Sequence, residues 1–370
     1  MLERIDLNLM IGPAVPVPAP RELVEALSSA QVTTSARQPS GFQLEFQLSP
    51  RSPLIAVLLA GSAILRVVLF VTLRGLPVVL IDGVVTDSEL TPGTGGGAST
   101  LRLTGSDLSA VMDLISFDGF LYPATPPFAR VNLMLSTYAA LGVAPLVVPS
   151  LLTTVENPAQ STPKQIGTDL NYIKVLANQS GYVFYLEPTP VPGTSVAYWG
   201  PEVKTGVPQP ALNADMDVRG NVDSLSFRLD TEKPTQYLLW VQEPITKLSL
   251  PIPVPNVSLL NPPLGAIPPI AKKYEPLQTA NLDPVRAALL GLSKQAETFD
   301  NVTANGSLDV RRYGGVLQAR RLVGVRGAGD AFDGLYFVQS VTHNIKRGEY
   351  KQSFTLSRSG LVSTVPVVPV

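Results

Sequence analysis

The strongest constraint on this chain is an alternating run near its end. Leu335 to Ile345 and Tyr350 to Arg358 flank a turn at Arg347-Gly348-Glu349. In the second segment Tyr350, Gln352, Phe354 and Leu356 alternate with Lys351, Ser353, Thr355 and Ser357. A helix would scatter these two sets around its circumference, whereas a strand sends them to opposite faces, so the spacing predicts a long β-hairpin. Phe42, Leu44, Phe46 and Leu48 repeat the pattern against Gln43, Glu45, Gln47 and Ser49, and Leu225, Phe227 and Leu229 repeat it against Ser224, Ser226, Arg228 and Asp230. Ile64–Leu73 and Leu76–Val85 flank Arg74-Gly75 and predict a second hairpin. The chain is therefore mainly β.

Three parts follow from the punctuation. Residues 1–115 read as one β-barrel-like unit after a loose proline-rich stretch at Pro13–Pro20. It ends in a short strand from Leu101 and a helical stretch, for which Ser106 is the expected N-cap. Residues 116–200 form an α+β insertion. Pro127 to Leu141 carries Val131, Leu135, Tyr138 and Ala139 at helical spacing and stops at Gly142; a second helix over Asp169–Gln179 stops at Gly181 before a strand at Tyr182–Leu186. Residues 201–370 return to strands from Val218. Their prolines at 251, 253, 255, 262, 263, 268, 269 and 276 exclude helix and central strand, so 251–276 is expected to be an extended, surface-hugging linker. A helix at Pro284–Thr298 precedes the final β region.

Charged residues make up only 15% of the 370 residues, with 28 Lys and Arg against 29 Asp and Glu. The balance argues against a nucleic-acid binder, which concentrates basic charge. The apolar surplus points to burial against sister subunits, since obligate interfaces resemble a core cut in half. With no cysteine there is no disulfide framework and no thiolate chemistry. Glu3 and Asp6 stand where an export signal would be basic and then apolar, so synthesis in the cytoplasm is expected. Leu54–Leu73 is long enough to span a membrane, but Arg66 would cost up to ~3 kcal/mol there and the segment is rich in β formers. Buried structure, with no stable membrane span, is the expectation.

Chemistry has few places to sit. His343 is the only histidine, which excludes metal sites needing two imidazoles, and its context favours a hydrogen-bonding over a catalytic role. The loop Thr91-Pro-Gly-Thr-Gly-Gly-Gly lacks the lysine of a phosphate-binding loop, and Gly324 to Gly329 lacks the order of a dinucleotide site. Asp215 with Asp217 and Asp330 with Asp333 read as turn residues. Arg311, Arg312, Arg320, Arg321 and Arg326, followed by Lys346, Arg347, Lys351 and Arg358, read as a solvated strand face or, more sharply, as a charged channel lining or an interface to an acidic partner.

From Gly327-Ala-Gly-Asp-Ala-Phe-Asp-Gly-Leu-Tyr-Phe-Val through His343 to Phe354-Thr-Leu-Ser-Arg358, the chain resembles the end of phage late-control-D-type baseplate hub proteins and their relatives in contractile injection systems. Thr168-Asp-Leu-Asn-Tyr leading to Gly181-Tyr-Val-Phe, and Tyr198-Trp-Gly-Pro201, agree with the family's middle segment, with Tyr172 where that pattern has Phe. The resemblance implies two tube-like antiparallel β-barrel domains per chain, at 1–115 and 201–370, and a homotrimer presenting a pseudo-sixfold ring. It implies a non-enzymatic hub, without cofactor or metal, that adapts a sixfold tail tube to a threefold spike. The partners would be the tube protein, a separate spike protein and other baseplate proteins, in a virion or injection particle. A separate spike is expected because the sequence stops shortly after the hairpin, without the needle of the valine-glycine-repeat spike proteins. Tyr336, Val338, Val341, His343, Ile345, Tyr350, Phe354, Leu356 and Arg358 are the interface candidates on this resemblance. A virion protein that binds surfaces or carbohydrate through an aromatic cleft is the alternative.

Overall fold

The computed structural model describes residues 5–59, 64–93, 97–150, 162–214, 220–242, 249–255, 261–277 and 284–365. The first part contains β1 (Asp6–Gly12), β2 (Val17–Pro18), α1 (Arg21–Ala26), β3 (Leu27–Ser35), β4 (Gly41–Leu48), α2 (Pro53–Leu59), β5 (Arg66–Leu73), β6 (Leu76–Thr91) and β7 (Ser99–Asp107). In β4 the four apolar residues are buried while Gln43, Glu45 and Gln47 face outward, as the alternation requires. Arg74 and Gly75, at φ 54° and 80°, make the left-handed two-residue turn whose twist suits the β5–β6 hairpin.

Leu54–Leu73 is divided between α2 and β5, and no helix among the described residues is long and apolar enough to cross a membrane. Arg66, the residue costly to a membrane reading, is buried. Its Nε and Nη2 donate to the two oxygens of Asp82 at 2.8 and 2.7 Å, and it also donates to the carbonyls of Ala14 and Gly193. The expected cap at Ser106 is corrected. Ser106 still belongs to β7, and Asp107 caps the 3-10 turn Leu108–Asp113 by accepting from the Ser109 N–H at 3.0 Å. A carboxylate is the stronger acceptor, and this one also takes the Ser40 N–H at 2.6 Å.

The insertion contains α3 (Pro127–Ser136), β8 (Val143–Val147), α4 (Asp169–Ser180), β9 (Val183–Pro188) and β10 (Ser195–Gly200). Gly142 and Gly181 close its helical segments at φ 75° and 67°. The strands form a sheet in the order β8-β10-β9, and Val131, Leu135, Ile173, Leu176 and Trp199 pack as a separate core. Leu108 and Met112 belong to that core too, so its packing begins before residue 116.

The last part contains β11 (Gln209–Asn213), β12 (Ser224–Leu229), β13 (Thr235–Gln242), β14 (Ser249–Pro253), β15 (Gly265–Ile267), β16 (Lys273–Pro276), α5 (Pro284–Phe299), β17 (Val302–Asp309), α6 (Val310–Tyr313), β18 (Leu322–Arg326), β19 (Gly334–Lys346), β20 (Glu349–Arg358) and β21 (Leu361–Ser363). The proline-rich stretch is more ordered than a linker. It supplies β14 and β16 as the two edges of a sheet whose middle strand, β13, has no proline, and β15, which pairs with β21. Edge positions spare proline the ladder bond it cannot donate.

The large sheet has thirteen strands, along the path β12-β17-β20-β19-β3-β4-β7-β6-β5-β1-β2 with β18 and β11 branching from β19. It holds one strand plan twice. Within each half, the runs β3-β4-β7-β6 and β12-β17-β20-β19 place their strands in the spatial order first, second, fourth, third. The first part of β6 pairs with β5, which pairs with β1, and the first part of β19 pairs with β18, which pairs with β11. The irregularities coincide as well, since β6 bulges against β7 between Val85 and Asp87 and β19 bulges against β20 between Val338 and Ser340. Aligning the bulges matches Asp87 with Ser340, Glu89 with Thr342 and Leu90 with His343. The halves are not separately cored. Ser340–Lys346 of β19 pairs with Ser29–Ser35 of β3, and residues from Leu9 to Leu103 and from Leu212 to Leu356 share one apolar cluster.

Candidate assembly surface

All nine interface candidates lie inside the chain. Tyr336, Val338, Val341, Leu356 and Arg358 are fully buried, and His343, Ile345, Tyr350 and Phe354 nearly so. Within the chain their side chains are core, because the period-two pattern that marks the hairpin points them inward. The same strands turn Ser340, Thr342, Asn344, Lys351, Ser353 and Thr355 to the other face.

The polar members of the buried set are satisfied within the fold. Gln352 is oriented by the backbone of Leu317, accepting from its N–H at 3.0 Å and donating to its carbonyl at 2.8 Å. Its amide nitrogen lies 3.2 Å from Nδ1 of His343, and the Tyr350 hydroxyl lies 2.7 Å from the same atom. Both groups have a proton to give, so the network assigns Nδ1 as acceptor and the ring proton to Nε2. Burial pushes the His343 pKa down to about 4. Arg358 donates to the carbonyls of Gly360, Asp333 and Ala331 and lies 4.6 Å from the ring centre of Tyr336. These are structural roles.

The opposite face of the eight strands from β12 to β6 is polar throughout. Ser224, Ser307, Ser353, Thr342 and Thr33 form one row across five strands, and Asn344, Gln31, Gln43, Thr104 and Asp87 form the next. Hydroxyls and amides link across the ladders: Ser224 with Ser307 at 2.8 Å, Thr33 with Thr342 at 3.0 Å, and Thr355 donating to Asn305 at 2.9 Å. The charges on this face are of both signs, with Arg228, Lys346, Lys351 and Arg102 against Asp309, Glu45, Asp87 and Glu89. The Ser29 hydroxyl and the Arg102 guanidinium hold Glu45 below the usual carboxylate range.

Of the basic residues named from the sequence, Lys346 and Lys351 lie on it, and four others lie elsewhere. Arg312 pairs with Asp223 on the surface, Arg320 stacks over Tyr185 at 4.0 Å from its ring centre, Arg321 is exposed beside Glu187, and Arg358 is in the core. Asp333 accepts from the N–H groups of Gly327 and Ala328 as a turn residue, whereas Asp215 and Asp217 lie outside the described residues. Among the described residues no three His, Asp or Glu converge as a metal site. Sequence reasoning missed a half-buried ionic cluster, in which Arg37 donates to Glu202 at 3.0 and 2.8 Å while Lys204 pairs with Asp300. Arg37, the Glu202–Lys204 segment and Asp300 are too far apart in the chain to signal each other.

Two strand edges end the polar face. Among the described residues β12 pairs only with β17, and Asp87–Thr91 of β6 pairs only with β7. These edges carry Leu229 and Leu90, each more than a third exposed.

No protein-family model matches the chain, and no curated protein sequence matches it. Solved structures do. The chain is similar to the 43 kDa tail protein of prophage MuSo2 from Shewanella oneidensis, at 13% identity and a TM-score of 0.64 over 96% of this chain and 99% of that one. It is similar to a tail protein from Neisseria meningitidis MC58, at 14% identity and a TM-score of 0.59 over 96% and 98%. A chain of the Francisella PdpA-VgrG complex aligns with all of this chain over 55% of its own length, at 8% identity and a TM-score of 0.62. The fold is that of phage tail proteins.

Proposed function

We propose that this chain is a structural baseplate hub of a phage tail or phage-like contractile injection system, closing as a homotrimer into a ring that joins a sixfold tail tube to a threefold spike. The observation that carries this reading is the strand plan present twice in one sheet. Three chains with two copies each place six similar units around one axis while keeping threefold symmetry, which is what a joint between sixfold and threefold parts requires.

The polar face supports the same reading. As the wall of a channel, a surface of hydroxyls, amides and charges of both signs holds neither a polyanion nor an apolar segment, so material passes without being retained. The apolar face and the insertion lie outside that wall. The likeness to the Francisella chain and to the tail proteins supports a separate spike protein, the tube protein and other baseplate proteins as partners. The chain is made in the cytoplasm and built into the particle, and its work is mechanical, without catalysis or cofactor.

Light scattering after size exclusion, on the chain alone and with its spike protein, tests the reading. A mass near three times 39.4 kDa, or an equimolar complex with the spike, is expected. A stable monomer that ignores the spike overturns it.

A further inference from the structure

A ring needs a joint between copies, and the joint inside the chain supplies a template. There β19, which ends the run β12-β17-β20-β19, pairs with β3, which begins the run β3-β4-β7-β6. The counterpart joint would link the end of the second of these runs to the beginning of the first, that is, β6 to β12. Both are unpaired on that side among the described residues. We infer that a second copy of this chain occupies each edge, with β6 of one copy pairing antiparallel with β12 of the next in the register of β19 with β3. The inference rests on the ring proposed above.

The register follows from the ladders. Inside the chain Thr342 faces Thr33, His343 faces Val32 and Asn344 faces Gln31. Gln31 opposes Gln43, and Ser226 opposes Asn305; these partners in turn oppose Thr104 and Thr355, which sit across from Asp87 and Ser340 beside the two matching bulges. Gln31 thus corresponds to Ser226, Val32 to Phe227 and Thr33 to Arg228. Between copies Glu89 therefore meets Arg228, Leu90 meets Phe227, and Thr91 meets Ser226.

Two independent features fit that register. Glu89 and Arg228 are opposite charges, with side chains 61% and 78% exposed, each within 4 Å of only one opposite charge among the described residues, Arg102 and Asp230 respectively. Cross-strand opposition of such a pair is favourable and like charges there are not. Leu90 lies on the apolar side of its strand yet is 37% exposed, whereas His343 at the matching position is 4% exposed because β3 runs beside it. A neighbouring β12 would give Leu90 the same cover. It would also remove two open edges that invite uncontrolled pairing.

The chain has no cysteine, so an introduced pair reports one contact. The double variant E89C/R228C is expected to form disulfides between copies under mild oxidation, giving dimer and trimer bands without reductant, while T33C/T342C, whose hydroxyls are 3.0 Å apart, links within one chain. The out-of-register pair E89C/S226C should link at least tenfold less. E89R should weaken association at least tenfold, and E89R/R228E should restore it. Trimers by mass that give no E89C/R228C link, or that link equally well out of register, overturn the joint and leave the ring standing. Monomers of the unaltered chain by mass overturn the ring and the joint together.

Discussion

The two strand runs share an order and a bulge yet solve their interiors with opposite chemistry. Where the first places the buried pair Arg66 and Asp82, the second places Leu322 and Leu335, both in an apolar cluster. Where the first has Leu90 beside Leu101, the second has His343 beside Gln352. Asp107, accepting backbone N–H groups, matches Arg358, donating to backbone carbonyls. The plan thus demands that each inward position be filled and each polar group paired, and it leaves the residue types free.

The largest test of that freedom is the buried ion pair. D82A leaves the Arg66 guanidinium enclosed without its carboxylate and is expected to cost about 3–5 kcal/mol in urea unfolding. R66L/D82L, which copies the matching leucines, should recover most of that loss. If the double variant is as unstable as D82A, the two positions are not interchangeable and the comparison between the runs fails at this point.

The next effect is the pH dependence of a buried histidine, which the second run has and the first lacks. Burial lowers the His343 pKa to about 4 from an ordinary 6.5, so the unfolded chain takes up a proton that the fold excludes. No stability is lost above pH 6.5; the loss grows as pH falls from there and is complete below about 4, on the order of 3 kcal/mol. H343L installs the residue found in the first run. It should flatten this acid limb, although it leaves the Tyr350 hydroxyl without its partner and lowers stability at neutral pH. A limb unchanged in H343L assigns the dependence to carboxylates instead.

How much of this was legible depends on which face carried the signal. The hairpin from Leu335 to Arg358 and the helices ended by Gly142 and Gly181 stood in the sequence because alternation and left-handed glycine are local. The repeated plan was not legible in spacing or composition, and two similar halves were expected only from the family resemblance. Phe42-Gln43-Leu44-Glu45 and Ala304-Asn305-Gly306-Ser307 occupy matching places and share only an outward polar alternation. The nine interface candidates came from residues that make the hairpin recognisable, and those are the inward ones. Side chains spent on the chain's own core are not free to touch another chain, and an open edge is a property of pairing that no local spacing reports.

The smallest expected effect compares the two buried charges at matching places. D107A removes the carboxylate that accepts from Ser40 and Ser109 and should cost about 1–2 kcal/mol, because one end of a short turn loses its cap. R358A removes the donor to three carbonyls and the guanidinium stacked on Tyr336, so its cost should be the larger of the two. Both losses are read from urea midpoints at constant slope. D107A as damaging as R358A would mean that Asp107 also holds the insertion on the sheet, since Leu108 and Met112 directly after it pack in the insertion core. The first run would then be anchored by its neighbour, and the second by its own hairpin.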